Sequence, residues 1–194
     1  LDQYGLPPLP PYIRRKSPED YTTDRTRYQT IYASQPGAAA APTAGLHFTP
    51  QLLDHLKQKG IHPCQLTLHV GLGTFRPVTA ENITDHTMHA EQYHVTSEAA
   101  QQLQETRQNG GRILAIGSTS VRTLESLPSL QPASGATDIF IYPPYTFRHT
   151  DAILTNFHLP QSTLLMMMSA FSSREQLLNA YQEAVAHQYR FFSY

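Results

Sequence analysis

Short apolar segments alternate with longer helical patterns along this chain, and this alternation most constrains its fold. Residues 64–70 alternate in polarity as a strand does, with Leu66, Leu68 and Val70 on one side. Residues 112–116 form a second, largely apolar strand that is predicted to be buried. Because strands alternate with helices, we expect an α/β fold, either a sheet or a barrel-like domain of mixed strands and helices.

Capping residues indicate where the helices begin and end. Thr49 is predicted to cap a helix with Pro50 in its first turn and Gly60 as its stop. A second helix is predicted from Ser97 to the glycine pair at 110–111. The other predicted elements are strands over 91–95, 137–142 and 151–154, a helix over 117–127, and a helical region over 163–190 that is interrupted near 172–173.

The first twenty residues are set apart by their prolines, at positions 7, 8, 10, 11 and 18. Proline lacks a backbone N–H and has a fixed φ angle, so it is unsuited to helix interiors and central strands. Residues 1–20 are therefore predicted to be an extended lead-in without regular helix, and residues 21–194 to be one α/β domain.

Charge and cysteine content narrow the class of protein. The 194 residues include 14 basic and 15 acidic side chains, so the overall charge gives no sign of a nucleic-acid partner. Cys64 is the single cysteine, which excludes an intramolecular disulfide and a multi-cysteine zinc site and fits a cytoplasmic location.

The densest apolar run, residues 164–168, is too short to cross a membrane. The sequence shows no signal peptide. Because it begins at Leu1 and not at a methionine, we expect it to be a piece of a longer protein.

Three segments place polar side chains among glycines and prolines. They are residues 41–49, 69–77 and 155–160, which contain His47, His69 and His158. Loops carried on a rigid scaffold are where binding and catalytic groups usually lie. These segments therefore predict a ligand site built from loops.

The transition from the strand at 112–116 into the next helix predicts an anion site. Residues 117–122 read Gly-Ser-Thr-Ser-Val-Arg, so free amides, hydroxyls and Arg122 lie close together. This combination favours a negatively charged group such as a carboxylate. A simple helix cap with Arg122 facing solvent explains the same residues equally well.

The glycine-rich segment 69–75 lacks the third glycine of a dinucleotide fingerprint and the lysine of a P-loop. Its glycines would let backbone approach a ligand closely, with Phe75 stacking on a flat base. A tight turn after a strand is the simpler interpretation.

Two further groups of residues have both a functional and a structural interpretation. His86, His89 and Glu91 are spaced so that they could bind a metal, but a surface loop before a strand accounts for them as well. The basic residues near the start of the chain could bind RNA phosphates, with a nearby tyrosine stacking on a base. They could equally form a charged surface that is exposed to solvent. These are Arg14, Arg15, Lys16, Arg25, Arg27 and Tyr28.

Taken together, the motifs resemble the S-adenosylmethionine:tRNA ribosyltransferase-isomerases of queuosine biosynthesis. The resemblance covers nearly the whole chain. The matching strings are residues 9–13, 27–30, 40–48, 68–75, 88–89 with 91 and 93, 117–122 with 124–125, 155–160 with 162–164, and 189–194.

The chain also departs from the family pattern. Family members carry a further N-terminal segment, an inserted β-barrel domain and a Gly-Asp-Ala stretch after the Phe-Phe-Ser-Tyr ending, and this sequence shows none of them. Ser118 replaces a common threonine, and Pro144 replaces a usual glycine. The resemblance therefore implies the major α/β domain of such an enzyme.

The resemblance implies an unusual use of S-adenosylmethionine as a ribosyl donor. The family transfers the ribosyl portion to the aminomethyl group of a 7-deazaguanine at the tRNA wobble position and rearranges it into epoxyqueuosine, releasing adenine and methionine. The sulfonium acidifies the C5′ hydrogens, so a general base must lie against that carbon, and departing adenine needs a proton donor. No metal is needed for either step.

Imidazole suits both proton transfers near neutral pH. The candidate catalytic residues are the motif histidines His47, His158, His69 and His89, with the first two favoured by their loop neighbours. The candidate substrate-binding residues are Gly45, Phe48, Gly71, Gly73, Thr74, Phe75, Gly117, Ser118, Thr119, Arg122, Asn156 and Phe157. The expected partner is a tRNA anticodon stem-loop bound by the basic residues named above.

Two other functions fit the same sequence. One is a metal-dependent hydrolase that uses His86, His89 and Glu91. The other is a tRNA-binding fragment without catalysis. Metal content after dialysis tests the first, and RNA binding without adenine release would indicate the second.

Overall fold

The computed structural model describes residues 9–10, 12–71, 78 and 80–194. Among these residues the α-helices are α1 (Pro18–Arg27), α2 (Pro50–Gln58), α3 (Ser97–Gln108), α4 (Ser118–Ser126), α5 (Thr163–Phe171) and α6 (Arg174–Ala186). The strands are β1 (Thr67–His69), β2 (Glu91–Val95), β3 (Leu114–Ile116), β4 (Ala133–Thr137) and β5 (Ala152–Leu154), and 3-10 helices span Thr43–His47 and Ile83–Asp85. None of the described helices is both long and apolar enough to span a bilayer.

The strands form two small sheets. β1, β2 and β4 pair antiparallel, with Leu68 opposite Tyr93 and Tyr93 opposite Gly135. β3 and β5 pair parallel, with Ala115 opposite Ile153. The mixed α/β fold predicted from the sequence is confirmed, with its described strands in two separate sheets.

Helix α4 is the centre of the core. It contacts strands of both sheets, and five consecutive residues, 121–125, are buried. Val121 and Leu127 have no exposed surface, and Val95 at the end of β2 is 1% exposed. Burial of large apolar side chains of this kind is the main source of folding free energy. Residues on α4 are therefore anchored in the buried core.

The helix boundaries read from capping residues are confirmed. The hydroxyl of Thr49 accepts a hydrogen bond from the Leu52 amide at 3.1 Å, and Pro50 is the first residue of α2. Gly60 follows α2 with a φ of +75°, a conformation that favours glycine. The break between α5 and α6 falls at residues 172–173, where it was predicted.

Three predictions of local structure are wrong. The strand predicted over 137–142 lies instead at 133–137, because pairing with β2 determines strand position there more than side-chain propensity does. The apolar run 137–142 contributes Ile141 to the core without strand pairing. β3 is not fully buried, since Leu114 is 53% exposed.

The third concerns the lead-in, where α1 begins at Pro18 inside the stretch predicted to be extended. Proline is tolerated in the first turn of a helix, where its missing N–H costs no hydrogen bond.

A buried carboxylate organises the loop after β4. Glu125 on α4 has no exposed surface. Its oxygens accept hydrogen bonds from the amides of Arg148, His149 and Thr150 at 2.8, 3.1 and 3.0 Å and from the Thr150 hydroxyl at 2.9 Å. One carboxylate thus binds all three backbone amides of the loop 148–150, which holds the loop just before β5.

Candidate functional site

The parallel pair β3–β5 brings two of the predicted motifs together. Gly117, which follows β3, donates its N–H to the carbonyl oxygen of Leu154 at 2.8 Å. A Cβ placed on Gly117 would lie 4.0 Å from that of Ala44, so the 3-10 helix also approaches this point. Ligands of α/β folds commonly bind at the carboxyl ends of adjacent parallel strands. Residues 43–47, 117–119 and 155–156 form what we call the strand-end cluster.

A chain of hydrogen bonds runs through the strand-end cluster. The Thr43 hydroxyl donates to Oδ1 of Asn156 at 2.9 Å, and Nδ2 of Asn156 donates to the Ser193 hydroxyl. Nε2 of His47 lies 2.7 Å from the same Ser193 oxygen. Two predicted site residues, His47 and Asn156, are therefore connected through a residue that sequence analysis did not single out.

Gly45 in the same 3-10 helix is required for packing. A Cβ there would lie 1.9 Å from Oη of Tyr32 and 2.8 Å from Cγ2 of Thr30. Contacts this short do not occur in folded proteins, so a larger residue would displace both neighbours. The structure explains Gly45 by close packing, without requiring the ligand approach that the sequence suggested.

His158 lies beside the strand-end cluster but in a different environment. Burial lowers its pKa from 6.5 to about 4. Its Nε2 lies 3.1 Å from the Thr155 hydroxyl, and its backbone N–H donates to the Tyr181 hydroxyl at 2.6 Å. The imidazole is therefore neutral at physiological pH, which makes His158 a poor proton donor.

The burial of His158 predicts a pH dependence of stability. The unfolded chain binds the proton at the ordinary pKa and the folded chain only near pH 4, so stability falls as pH decreases from 6.5 to about 4. We expect His158→Asn to make the decrease in unfolding free energy over this pH range smaller by about 2–3 kcal/mol. Urea unfolding at several pH values in the range measures it. His55→Asn on the exposed face of α2 is the control and should leave the slope unchanged. Equal slopes for His158→Asn and the parent chain would contradict the neutral assignment.

Phe157 is occupied by other aromatic rings. Its ring centroid lies 5.1 Å from that of Tyr181 in an edge-to-face arrangement and 5.5 Å from that of Phe191. Such pairs stabilise a fold beyond their buried area. Stacking of Phe157 on adenine, as proposed from the sequence, would have to replace these contacts.

His69 ends β1 away from this cluster. Its Nδ1 is buried without a hydrogen-bond partner among the described residues. A Cβ on Gly37, whose φ is +141°, would lie 2.7 Å from that Nδ1, so the glycine allows the imidazole to pack against the backbone. A buried nitrogen without a partner costs free energy, so a ligand or water that bonds it is favoured.

Arg122 forms a buried ion pair with Glu91. Nη1 of Arg122 donates to Oε2 of Glu91, and the two side chains are 8% and 4% exposed. Oε1 of Glu91 accepts from the Gly71 amide at 3.0 Å. The interpretation of Arg122 as a solvent-facing residue is wrong, because α4 directs it toward β2 in the interior.

Two of the remaining donors of Arg122 form a fork, Nε and Nη2, that no described residue accepts from. Nε and Nη2 are buried and have no hydrogen-bond partner among the described residues. Arg15 uses the same two atoms to hold both carboxylate oxygens of Asp24, each at 2.6 Å. The Nε–Nη2 edge of Arg122 therefore has the geometry of a bidentate receptor for a carboxylate or phosphate.

Residues 1–194 match the protein family described as queuosine biosynthesis protein. The chain belongs to this family. The resemblance identified from its motifs is thereby confirmed.

A solved structure gives the same result. The S-adenosylmethionine tRNA ribosyltransferase of Thermotoga maritima is 46% identical to this chain, with a TM-score of 0.65. The match covers 78% of this chain and 49% of the Thermotoga chain, so this member of the queuosine biosynthesis family matches about half the length of that protein.

In this queuosine biosynthesis protein the residues proposed for a metal do not come together. Glu91 is paired with Arg122, His86 packs edge-on against Phe140 with ring centroids 5.1 Å apart, and His89 is exposed. Within residues 9–10, 12–71, 78 and 80–194, no group of three or more His, Cys, Asp or Glu side chains is arranged to hold a metal ion. The geometry therefore gives no support to the metal-hydrolase alternative.

The predicted RNA-binding residues have mixed environments. Arg15 is paired with buried Asp24, and the guanidinium of Arg27 lies 5.9 Å from the ring centroid of Tyr194. Tyr28 is 6% exposed and packs edge-on against Tyr194, so stacking of Tyr28 on a base is not supported. Exposed positions in this set are Arg14, Lys16, Arg25 and Arg27.

The other predicted site residues are placed as follows. Ser118 and Thr119 are half-buried in the first turn of α4, Phe48 is half-buried after the 3-10 helix, and a Cβ on Gly71 would contact none of the described residues. Gly73, Thr74 and Phe75 lie outside the described residues.

Sequence analysis missed the roles of Glu91 and Ser193. Glu91 was considered as a metal ligand, whereas it is the buried partner of Arg122. The one sequence feature that could have pointed to Ser193 is its small hydroxyl side chain within a segment, 189–194, that is otherwise mostly aromatic.

Proposed function

We propose that this chain carries the S-adenosylmethionine-binding and proton-transfer part of a tRNA ribosyltransferase-isomerase. The reaction transfers and isomerises the ribosyl moiety of S-adenosylmethionine onto 7-aminomethyl-7-deazaguanine at the tRNA wobble position. Its products are epoxyqueuosine-tRNA, adenine and methionine. The Thermotoga protein is named for S-adenosylmethionine and tRNA ribosyl transfer, and 46% identity supports the same substrates here.

One observation carries the proposal: two of the three loop motifs meet at the strand-end cluster. Residues 43–47 and 155–156 are more than a hundred positions apart in sequence, yet Thr43 and Asn156 are hydrogen-bonded. The cluster contains an exposed imidazole, that of His47, and the first turn of α4. A positioned base suits a substrate that must lose a proton.

His47 is the best candidate for proton transfer. A base must remove a proton from C5′, which the neighbouring sulfonium acidifies, and methionine later leaves with the electron pair of its C–S bond. His47 is exposed within the strand-end cluster. His158 is neutral and enclosed, so we assign it to the support of the cluster.

The fork of Arg122 is proposed to hold the methionine carboxylate of S-adenosylmethionine. A carboxylate supplies the two acceptors that Nε and Nη2 do not find among the described residues. Both atoms are shielded from solvent, so binding there requires local opening of the surrounding chain. The third nitrogen of the guanidinium, Nη1, donates to Glu91, and this contact holds the Arg122 side chain in place.

The proposed tRNA partner must present its modified base outside the anticodon stack. Arg14, Lys16 and Arg25 are exposed on or near α1 and are proposed to contact backbone phosphates.

Adenine release from S-adenosylmethionine tests the proposed function. We expect release with tRNA that carries the aminomethyl-deazaguanine and none with tRNA that carries guanine at that position. His47→Gln should lower the rate by about 100-fold, as loss of a general base does, while His55→Gln should leave it unchanged. The assay should include a longer version extended to the length of the Thermotoga protein. Failure of both lengths to release adenine would contradict the proposal.

A tRNA-binding fragment without catalysis is the second candidate. The match to about half of the Thermotoga chain favours it, because the residual half can carry catalytic groups. RNA binding by this chain, with adenine release only by the longer version, would establish this alternative.

A further inference from the structure

We propose that Ser193 is a positioning residue that fixes the tautomer of the His47 ring. This inference deepens the proposed function and rests on it for its catalytic consequence. The structural part concerns which ring nitrogen of His47 carries the proton and stands on hydrogen-bond geometry alone.

Hydrogen-bond directions along the chain of residues favour one tautomer of His47. Asn156 accepts from the Thr43 hydroxyl at Oδ1, so its amide nitrogen is directed to the oxygen of Ser193. The Ser193 oxygen thus already accepts one hydrogen bond. The hydroxyl proton of Ser193 can then be donated to Nε2 of His47, which lies 2.7 Å from the serine oxygen. The contacts of the described residues offer this proton no other acceptor.

A neutral imidazole has one protonated and one unprotonated nitrogen. If Nε2 accepts from Ser193, the proton of His47 lies on Nδ1. Which nitrogen faces a substrate as donor or acceptor is set in this way by a neighbouring group, as is common for functional histidines. In this tautomer Nε2, on the side of Ser193, is the nitrogen that can accept a proton, and Nδ1 is the nitrogen that donates. Ser193 therefore determines which nitrogen of His47 can act as the base.

The segment 191–194 is held in a way that suits this task. Phe192 stacks on Tyr12 with ring centroids 3.7 Å apart, and the Tyr194 hydroxyl donates to buried Asp24 at 2.7 Å. Ser193 lies between these two anchors. Its position is therefore fixed from both sides along the chain.

The backbone at Phe192 supports a functional constraint. Its φ is +67°, in the left-handed region that aromatic residues rarely adopt. Such conformations persist where surrounding contacts determine them, and they are frequent at functional sites. Here the turn at Phe192 directs the next residue, Ser193, toward His47 and Asn156.

Nitrogen-15 NMR of the imidazole rings tests the inference directly, without any assay of activity. In mildly alkaline buffer we expect His47 of the unaltered chain to be protonated at Nδ1 and unprotonated at Nε2. Ser193→Ala should shift the population toward the Nε2-protonated form, and Ser193→Thr, which keeps the hydroxyl, should restore the original pattern. An Nε2-protonated ring in the unaltered chain would overturn the proposal, and this measurement does not depend on whether any variant folds.

A second serine–histidine pair provides a matched control. Nδ1 of exposed His94 lies 2.6 Å from the hydroxyl of Ser134, remote in sequence from the strand-end cluster. Ser134→Ala should change the signals of His94 and leave those of His47 unchanged. Equal responses of His47 to Ser134→Ala and Ser193→Ala would overturn the assignment to Ser193.

Kinetics separate this inference from the proposed function. With active enzyme we expect Ser193→Ala to lower kcat for adenine release by about 10- to 100-fold with little change in KM, and Ser193→Thr to recover most of it. If the expected proton pattern is found but no length of the protein releases adenine, the proposed function fails and the positioning of His47 stands. A kcat unchanged by Ser193→Ala would overturn the catalytic part.

Discussion

Replacement of Glu125 by alanine is expected to lower the free energy of unfolding by about 3–5 kcal/mol, the cost of breaking a buried charged network. The carboxylate accepts from three backbone amides and one threonine hydroxyl, and the substitution would leave all of them without this acceptor, the two donors of Thr150 in a buried position. Glu125→Gln should cost less, because it keeps the shape and one acceptor oxygen. Urea unfolding of the three chains measures the difference.

Glu183→Ala is the control for this experiment. Glu183 is 77% exposed in a pair with His187, so its loss should change stability little. Similar costs for Glu125→Ala and Glu183→Ala would show that the loop 148–150 obtains its hydrogen bonds elsewhere.

The second large effect is expected at Arg122. Arg122→Met leaves Glu91 buried without its cation, and we expect a loss of about 3–5 kcal/mol in unfolding free energy. The double variant Glu91→Gln/Arg122→Met should recover most of this loss, because it removes both charges and keeps an acceptor for the Gly71 amide. Binding of S-adenosylmethionine, measured by calorimetry, should be lost in both variants.

This pair of variants separates packing from ligand binding. A stable double variant that binds S-adenosylmethionine as the parent chain does would contradict the proposed carboxylate fork. Arg107→Met is the matched control, since Arg107 pairs with Asp151 at 2.7 Å but both side chains are about one-third exposed. It should lower stability much less and leave binding intact.

Features with local causes could be predicted from the sequence. Thr49, Pro50 and Gly60 define α2 through hydrogen bonds and φ angles within one helix, so the neighbouring residues suffice. β4 could not be placed, because its Ala-Ser-Gly-Ala-Thr sequence has little strand propensity and pairing with β2 fixes it. Local pattern carries no information about a partner strand 40 residues away.

In the candidate site too, residue types could be read from the sequence, whereas the tertiary contacts of those residues could not. The helix position of Arg122 allowed either an anion-binding or a solvent-facing residue, and its burial against Glu91, 31 residues earlier, could not be seen from the sequence. Ser193 was missed because its importance lies in contacts with His47 and Asn156, 146 and 37 residues away. Residue type indicates what a side chain can do, and tertiary contacts decide whether it does so.

The anchoring of Tyr194 on Asp24 has a consequence for the order in which the molecule is made. The contact joins residues 170 positions apart, so it cannot form until residue 194 has left the ribosome. A nascent chain stopped at residue 190 can already fold α1–α6, since domains begin to fold during synthesis. It would lack the hydroxyl that bonds His47. The contacts of the strand-end cluster with Ser193 can therefore form only after all six helices have been synthesised.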